Sequence, residues 1–295
     1  MSSDSKFDIL VNKIFKFLPS STKKMLKKHF EKKDLFKMSQ LITSEMNKMT
    51  IVKNPGRQDF IIDNIYKYLT TNRMLKNNVK IVDIGGGDGT VLSGLRYKIS
   101  QEYSTDKTDF VCIENPSEWT EIYKFDKLDI TYQFPNNNPN WVVDEDNIEE
   151  IVDENENNDY IVANSVDIVF CMVSLHHMRD EKIHEMMKNI NKMLKKNGKL
   201  FIKEHDVKNP EVNNSVIWEH HLYHMLDCGY NNQVMNVNEY LSTTIINAKS
   251  KLDWQLMLKE NNFTLIDRKN RFLDGPLKYD VKNVTEMYWD VYVKN

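Results

Sequence analysis

The stretch KIVDIGGGDGTVLSGL, residues 80 to 95, decides how the rest of the chain is read. An apolar run, Ile81–Ile84, ends in four glycines placed around one aspartate, and Thr90 then opens a longer amphipathic stretch. This order predicts a buried strand, a tight turn that lets a ligand approach the backbone, and a helix whose N-terminal amides face that ligand.

The ligand predicted for this turn is not a phosphate. A P-loop would need Gly-Lys-Ser or Gly-Lys-Thr at its end, and the tract contains no lysine. The dinucleotide fingerprint G-x-G-x-x-G matches from Gly85 but fails at Thr90. Asp83 and Asp88 would repel a pyrophosphate, whereas they would favour a ligand that carries an amino group and a sulfonium.

Composition limits the classes of protein to which this chain can belong. The chain has 295 residues, of which 40% are apolar and 28% charged, as in soluble globular proteins. Its apolar runs are far shorter than the roughly 20 residues of a membrane span, and the first residues lack the layout of a secretory signal. Three widely spaced cysteines form no CxxC pair. These features predict an intracellular, reducing, cytoplasmic location without membrane contact.

The N-terminal segment has helical periodicity from Phe7 to about Leu75, with a stop at Pro19. Its first fifty residues hold eleven lysines against five acids. We predict a helical extension or lid over residues 1–55 and a main domain over residues 56–295. The lysine-rich part is either a surface for RNA or a solvated helix face, and the oligomeric state stays open.

After Lys80 short apolar runs alternate with helical stretches, which predicts an α/β domain with a seven-stranded, mainly parallel, doubly wound sheet. Residues 135–160 are polar and acidic and are expected to form a surface insertion. The last two strands are expected to pair as a terminal hairpin. The predicted strands are Ile81–Ile84, Phe110–Ile113, Ile130–Phe134, Val166–Val173, Lys199–Lys203, Phe263–Asp267 and Met287–Val293.

A second acid follows the second strand, where Glu114 ends the run FVCIEN. A carboxylate at this position can accept both hydroxyls of a ribose. Together, VDIGGGDG, CIEN, SVDIVFCMVSLHHM and NGKLFIKEHD resemble the class I S-adenosylmethionine-dependent methyltransferases over residues 56 to 295. The resemblance implies a Rossmann-like fold and S-adenosyl-L-methionine as cofactor.

The resemblance also implies roles for individual residues. Asp83 would hold the methionine amino group, Gly85 and Gly87 would pass beneath the methionine and the ribose, and Glu114 would bind the ribose. The third strand departs from the family pattern, which leaves Asn136 and Asn164 as candidates for the adenine contact. The full predicted cofactor-binding set is Asp83, Gly85, Gly86, Gly87, Asp88, Glu114, Asn115, Val173 and Ser174.

Candidate catalytic residues follow the fourth and fifth strands. His176 and His177 end the run SLHH, where histidine can serve as a general base, although one of them can equally pack beneath the loop. Lys203, Glu204, His205 and Asp206 form an ionisable cluster at the next strand end, and the last three are predicted as a polar wall that binds or deprotonates the substrate. Lys203 matches the lysine of the Lys-Asp-Lys-Glu tetrad in ribose 2′-O-methyltransferases, but the aspartate of that tetrad is missing here. The Asn/Asp-Pro-Pro-Tyr/Phe motif of amino-group methyltransferases is also absent.

His220 and His224 lie four residues apart, which is a spacing that metal ligands use on a helix. No third ligand is fixed by the sequence and the H-E-x-x-H pattern is absent, so the alternative is a polar helix face. No metal is therefore predicted.

The function predicted from these features is transfer of a methyl group to an oxygen or nitrogen of an acceptor. RNA (cap or ribose), a protein side chain and a small molecule all stay open. The alternative is a catalytically inactive methyltransferase-like scaffold or a regulatory subunit of an RNA-modifying complex. A nicotinamide-dependent reductase is disfavoured by the broken fingerprint and by Asp88.

Overall fold

The computed structural model describes residues 3–49, 56–114, 130–133, 141–144, 160–269 and 287–295. The chain forms two compact units, one from residues 56–204, 251–269 and 287–295 and the other from residues 3–49 and 205–250. The elements are α1 (Ser3–Ile14), α2 (Ser20–Glu31), α3 (Leu35–Asn47), α4 (Gly56–Thr71), β1 (Ile81–Ile84), α5 (Thr90–Ser100), β2 (Phe110–Ile113), β3 (Thr131–Gln133), β4 (Val142–Val143), β5 (Ile161–Val162), β6 (Val166–Met172), α6 (Asp180–Met193), β7 (Leu194–His205), α7 (Pro210–Tyr230), α8 (Val237–Thr243), α9 (Lys251–Glu260), β8 (Phe263–Lys269) and β9 (Met287–Lys294).

The sheet unit is built on a seven-stranded sheet in the order β3-β2-β1-β6-β7-β9-β8. The first five strands in this order run parallel, and β8 pairs antiparallel with β9. The predicted mainly parallel seven-stranded sheet is therefore confirmed. All residues of β1 and β2 are buried, because parallel strands inside such a sheet are covered on both faces.

Helices cover the two faces of this sheet and divide its core in two. Since side chains alternate along a strand, Val82 and Ile84 pack in one cluster with residues of α6 and α9, whereas Ile81 packs in another with residues of α4 and α5. The reversal of strand order at β1 and β6 puts the carboxyl ends of these two strands side by side. Open α/β sheets bind their ligands at such a reversal.

The segment expected to be a surface insertion contains a buried stretch. Trp141 is 3% exposed and packs in the core cluster, and Val142–Val143 forms a small parallel sheet with Ile161–Val162. The three adjacent apolar residues explain this burial. Residues 134–140 and 145–159 lie outside the described residues.

Two ion-paired side chains hold the outer strands β8 and β9 together. Arg268 donates from Nε to Asp290 Oδ1 at 2.7 Å and from Nη2 to Asp290 Oδ2 at 2.8 Å. Asp290 is fully buried, and the Tyr292 hydroxyl donates to its Oδ2 at 3.0 Å. This bidentate pairing satisfies a carboxylate that burial would otherwise make unfavourable.

The helical unit consists of α1, α2, α3, α7 and α8, whose apolar faces share one core. Helix α1 ends at Ile14, before the stop predicted at Pro19, and Pro19 itself is the N-cap residue of α2, whereas Asp34 caps α3 through the Lys37 amide. Polar contacts fix the packing: Lys13 Nζ lies 2.5 Å from Glu219 Oε1, and Ser39 Oγ accepts from the Met235 amide at 2.8 Å. The division of the chain at residues 55 and 56 stays a prediction.

Candidate functional site

The glycine turn between β1 and α5 uses backbone conformations that favour glycine. Gly85, Gly87 and Gly89 have φ values of 68°, 57° and 66°. Such values are unfavourable for residues with a Cβ atom. The turn is fixed by two backbone hydrogen bonds, from Gly85 to the Ile113 carbonyl at 2.8 Å and from Gly89 to the Gly86 carbonyl at 3.1 Å.

Close approach of neighbouring chain segments is a further reason for glycine at position 85 and the reason for glycine at position 86. A Cβ atom on Gly85 would lie 2.3 Å from Ser174 Cβ, and one on Gly86 would lie 2.7 Å from Cys112 Sγ. Ser174 itself is held against the turn because its hydroxyl donates to the Ile84 carbonyl at 2.8 Å. The loop after β6 therefore packs directly on the glycine turn.

The carboxylates at the glycine turn differ in the hydrogen bonds that they accept. Asp83 is 1% exposed, and its Oδ1 has no hydrogen-bond partner among the described residues. Burial, then the charges of Glu114 and Asp88, raise the pKa of Asp83 to about 8. Glu114 Oε2 accepts from the Gly87 amide at 3.0 Å, and Asp88 Oδ1 accepts from the Thr90 amide at 3.0 Å. A cationic group beside Asp83 would favour its ionised form.

The backbone is strained where β6 ends. Val173 has a φ of 60°, which is unusual for a β-branched residue, and its amide donates to the Lys203 carbonyl at 2.8 Å. Strained residues of this kind cluster at ligand sites. Val173 and Ser174 thus lie at the same sheet edge as the glycine turn, as the sequence predicts.

His176 and Glu204 form a buried pair at this edge. His176 Nδ1 lies 2.6 Å from Glu204 Oε2, and Glu204 Oε1 accepts from the Leu175 amide at 3.1 Å. Neither side chain is exposed. The pairing was missed in the sequence because 28 residues separate its members. The adjacency of the fourth and fifth strands was the signal that could have indicated it.

Lys203 and Glu204, two of the predicted catalytic residues, lie on opposite faces of β7. Side chains alternate along β7, so Lys203 shares the face of Phe201, which packs in the α4 and α5 cluster, and Glu204 shares the opposite face with Ile202. Lys203 Nζ lies 5.5 Å from the centre of the Trp289 ring. His177 is exposed, with its ring centre 4.3 Å from that of His176.

The other predicted polar residues belong to the helical unit. His205 and Asp206 are buried there, and the His205 ring lies 5.7 Å from that of His220. His220 Nδ1 lies 2.7 Å from the Val216 carbonyl oxygen, whereas the His224 ring stacks on Tyr240 at 4.4 Å. Burial lowers the pKa of His224.

One adenine candidate is at the wrong end of the sheet. Asn164 precedes β6 and accepts from Lys294 Nζ at 2.9 Å, so it lies beside the amino end of that strand. Cofactors of open α/β sheets bind at the carboxyl ends, which excludes Asn164 from the adenine contact. Asn115 and Asn136 lie outside the described residues.

Comparison with solved structures gives matches to methyltransferases at low identity. They include a complex of the Haloferax volcanii Trm112 methyltransferase activator with a methyltransferase (13% identity, 80% of this chain and 92% of that chain, TM-score 0.46). An S-adenosylmethionine-dependent methyltransferase from Mesorhizobium loti matches at 10% identity over 79% of this chain and 100% of that one, with a TM-score of 0.46. Magnesium protoporphyrin IX methyltransferase from Synechocystis PCC 6803 matches at 12% identity over 89% and 97%, with a TM-score of 0.43.

The family is shown by a separate comparison. Residues 54–268 match the family model described as a methyltransferase domain, whereas no curated protein matches the chain. Within the described residues, no helix is both long enough and apolar enough to cross a membrane. The chain belongs to the class I S-adenosylmethionine-dependent methyltransferases, and its cofactor is S-adenosyl-L-methionine.

Proposed function

We propose that the protein catalyses transfer of a methyl group from S-adenosylmethionine to a nucleophilic oxygen or nitrogen of its acceptor. One observation carries the proposal: Asp83 is a buried carboxylate with an oxygen that lacks a partner among the described residues, beside a turn of glycines. Such a group is unfavourable unless a ligand satisfies it. A cationic ligand does so and is the kind of ligand that this family binds.

The residues of the turn fit this cofactor. Asp83 would accept from its amino group, the bare backbone of Gly85 to Gly87 would pass beneath it, and Glu114 would accept from the ribose hydroxyls. Space at the turn depends on the missing side chains, because a Cβ on Gly86 would lie 2.8 Å from Asp83 Oδ2. When bound, S-adenosylmethionine supplies an electrophilic methyl group attached to a sulfonium.

His176 is proposed as the base that removes the proton of the acceptor. An ionised Glu204 can only accept, so in the proposed mechanism His176 donates from Nδ1 across the 2.6 Å contact and its lone pair is on Nε2. The second oxygen of Glu204 is fixed by the Leu175 amide, so the carboxylate holds the ring in one orientation. Glu204 is therefore a positioning residue, and the exposed His177 is proposed to contact the acceptor.

The proposed acceptor is RNA or a small molecule. Both carry oxygen or nitrogen groups whose proton a histidine base can remove. Binding of S-adenosylmethionine, S-adenosylhomocysteine and NADH by calorimetry tests the proposal first. We expect micromolar affinity for the first two and none for NADH. Methyl transfer is then measured with labelled cofactor against RNA and small-molecule acceptors. Cofactor binding without any transfer would favour the inactive scaffold, and absence of binding by the folded protein would overturn the proposal.

Glu204→Gln is expected to lower kcat by about 100-fold and to leave the Kd for S-adenosylmethionine within twofold. The neutral amide retains the shape of the side chain but does not stabilise the imidazolium that forms as His176 takes up a proton. Steady-state kinetics measures the effect on kcat, with the acceptor that the labelled-cofactor screen identifies. Calorimetry measures the effect on cofactor binding. Glu260→Gln, an exposed position at the end of α9, is the control and should change neither. An unchanged kcat in Glu204→Gln would remove the Glu204–His176 pair from the proposed mechanism.

A further inference from the structure

The basic N-terminal segment divides into lysines that pair within the helical unit and lysines that do not. Lys27 Nζ lies 2.6 Å from Asp8 Oδ2, and Lys23 Nζ donates to Asn12 Oδ1 at 3.0 Å, so these two side chains of α2 join it to α1. Lys24, Lys28 and Lys32 are exposed, and their ammonium groups make no hydrogen bond or ion pair with any described residue. We call these three residues the lysine stripe.

The lysine stripe has a regular geometry. Its members follow one another at four-residue intervals, so they lie on one side of α2 and its C-cap and extend over about 12 Å. Lys33 is exposed directly after them, and Glu31 is the acid that lies among them. Stabilisation of the helix dipole accounts for cations in the last turn but not for Lys24, which lies in the middle of α2.

An exposed aromatic residue follows the lysine stripe closely in the chain. Phe36 is 50% exposed in the first turn of α3, and three residues, Lys33 to Leu35, separate it from Lys32. The amide of Asp34 donates to the His29 carbonyl at 3.0 Å, which folds α3 back beside the end of α2. The surface therefore combines a row of cations with a flat apolar group, the two features by which proteins bind single-stranded nucleic acid.

The apolar side of α2 argues against a membrane surface as the partner. Leu26 is fully buried, and the Phe30 ring stacks on Phe7 with ring centres 3.9 Å apart and lies 4.6 Å from Trp218. Met25, 47% exposed, is the large apolar residue that α2 presents outward among those described. A helix that lies in a membrane interface inserts its apolar face, whereas α2 uses that face inside the helical unit.

We propose that the lysine stripe and Phe36 form a binding surface for single-stranded RNA. The lysines contact consecutive phosphates, and Phe36 stacks on a base that is not stacked on the adjacent bases of the strand. The choice of RNA rests on the proposed function, in which RNA is one of the acceptor classes. Binding is measured without cofactor, so failure of this inference is distinguishable from failure of methyl transfer.

The test uses the full chain and a fluorescein-labelled twelve-nucleotide oligouridylate, with anisotropy measured between 50 and 200 mM salt. Changing the three stripe lysines together to glutamine is expected to raise Kd at least tenfold and to reduce the slope of log Kd against log salt by about 2. Phe36→Ser is expected to raise Kd about tenfold with the slope unchanged, because stacking releases no counterions.

The matched control changes Lys67, Lys196 and Lys259 to glutamine. These lysines are also exposed, and their ammonium groups make no hydrogen bond or ion pair with the described residues, so the loss of net charge is the same. Its Kd should stay within twofold of the wild type, and calorimetric S-adenosylmethionine binding should be equal in all variants. An equal loss of RNA affinity in the control variant and in the stripe variant would overturn the proposed binding surface. Equal or tighter binding of duplex RNA, a deoxy-oligonucleotide or anionic phospholipid vesicles would overturn single-stranded RNA as the partner.

Discussion

Asp83→Asn is expected to weaken S-adenosylmethionine binding by about 100-fold while it raises the stability of the ligand-free protein. Asparagine keeps the shape of the side chain but removes the charge that a buried cation needs as its partner. In the ligand-free protein the same charge is unfavourable, because Asp83 is 1% exposed and lies near Glu114 and Asp88. Calorimetry measures the first effect and thermal unfolding the second.

The pKa of Asp83, raised to about 8, fixes the sign of both pH dependences. An aspartate in the unfolded chain has a pKa near 3.9, so between pH 3.9 and pH 8 the folded protein binds one proton more than the unfolded chain. The free energy of unfolding therefore falls by about 1.4 kcal/mol for each unit by which the pH rises. Cofactor affinity changes in the opposite sense: it rises with pH, up to tenfold per unit between pH 6 and 7.5, because binding needs the ionised carboxylate.

Both trends should disappear in Asp83→Asn, and both should persist in Glu260→Gln, which loses an exposed charge. The informative quantity is the difference between variant and wild type, since other groups titrate over the same range. A variant that binds the cofactor like the wild type would remove Asp83 from the binding site. Parallel pH profiles of Tm in the variant and the wild type would show that Asp83 is ionised in the ligand-free protein.

Gly85→Ala is expected to lower the free energy of unfolding by about 3 kcal/mol and to abolish measurable cofactor binding. The methyl group would lie 2.3 Å from Ser174 Cβ, and the φ of 68° is itself unfavourable for alanine. Relief of the contact would push apart the glycine turn and the loop after β6. Urea unfolding and calorimetry measure the two effects.

Gly94→Ala is the matched control for Gly85→Ala. Its added methyl would approach Ile62 Cδ1 at 2.4 Å, but this atom is the far end of a flexible side chain, and alanine is favoured over glycine in a helix such as α5. We expect a change within about 1 kcal/mol and normal cofactor binding. Ser174→Gly should restore part of the stability of Gly85→Ala, because it removes the clash and leaves the unfavourable φ. Equal effects of the two alanines would show that the turn tolerates a side chain.

Much of the sheet was predictable because its strands are short apolar runs between clear turn residues. Ile81–Ile84 and Phe110–Ile113 have the predicted bounds, and the expected pairing of the last two strands with each other is confirmed by the antiparallel pairing of β8 and β9. The buried position of Trp141 was not predictable from composition, since a run of asparagines precedes the three apolar residues at 141–143 and a run of acids follows them.

The candidate site was predictable where one local stretch supplies it and not where distant stretches meet. The glycine turn and Asp83 follow from residues 80–95 alone. The contact of Glu204 with His176 depends on the register between β6 and β7, in which Met172 pairs with Lys203. The strand alternation that separates Lys203 from Glu204 was implicit in the sequence, since the neighbours Phe201 and Ile202 already require opposite faces.

The discontinuous make-up of the helical unit has a consequence for synthesis on the ribosome. Helices α1 to α3 are translated first, yet their apolar faces share a core with α7, which begins at Pro210. About 160 residues separate the end of α3 from that point, which corresponds to roughly 10–30 s of elongation. We expect Phe7, Phe15 and Met38 to lack their contacts with α7 throughout this interval, and we therefore expect cotranslational chaperones to bind the nascent chain at α1 to α3.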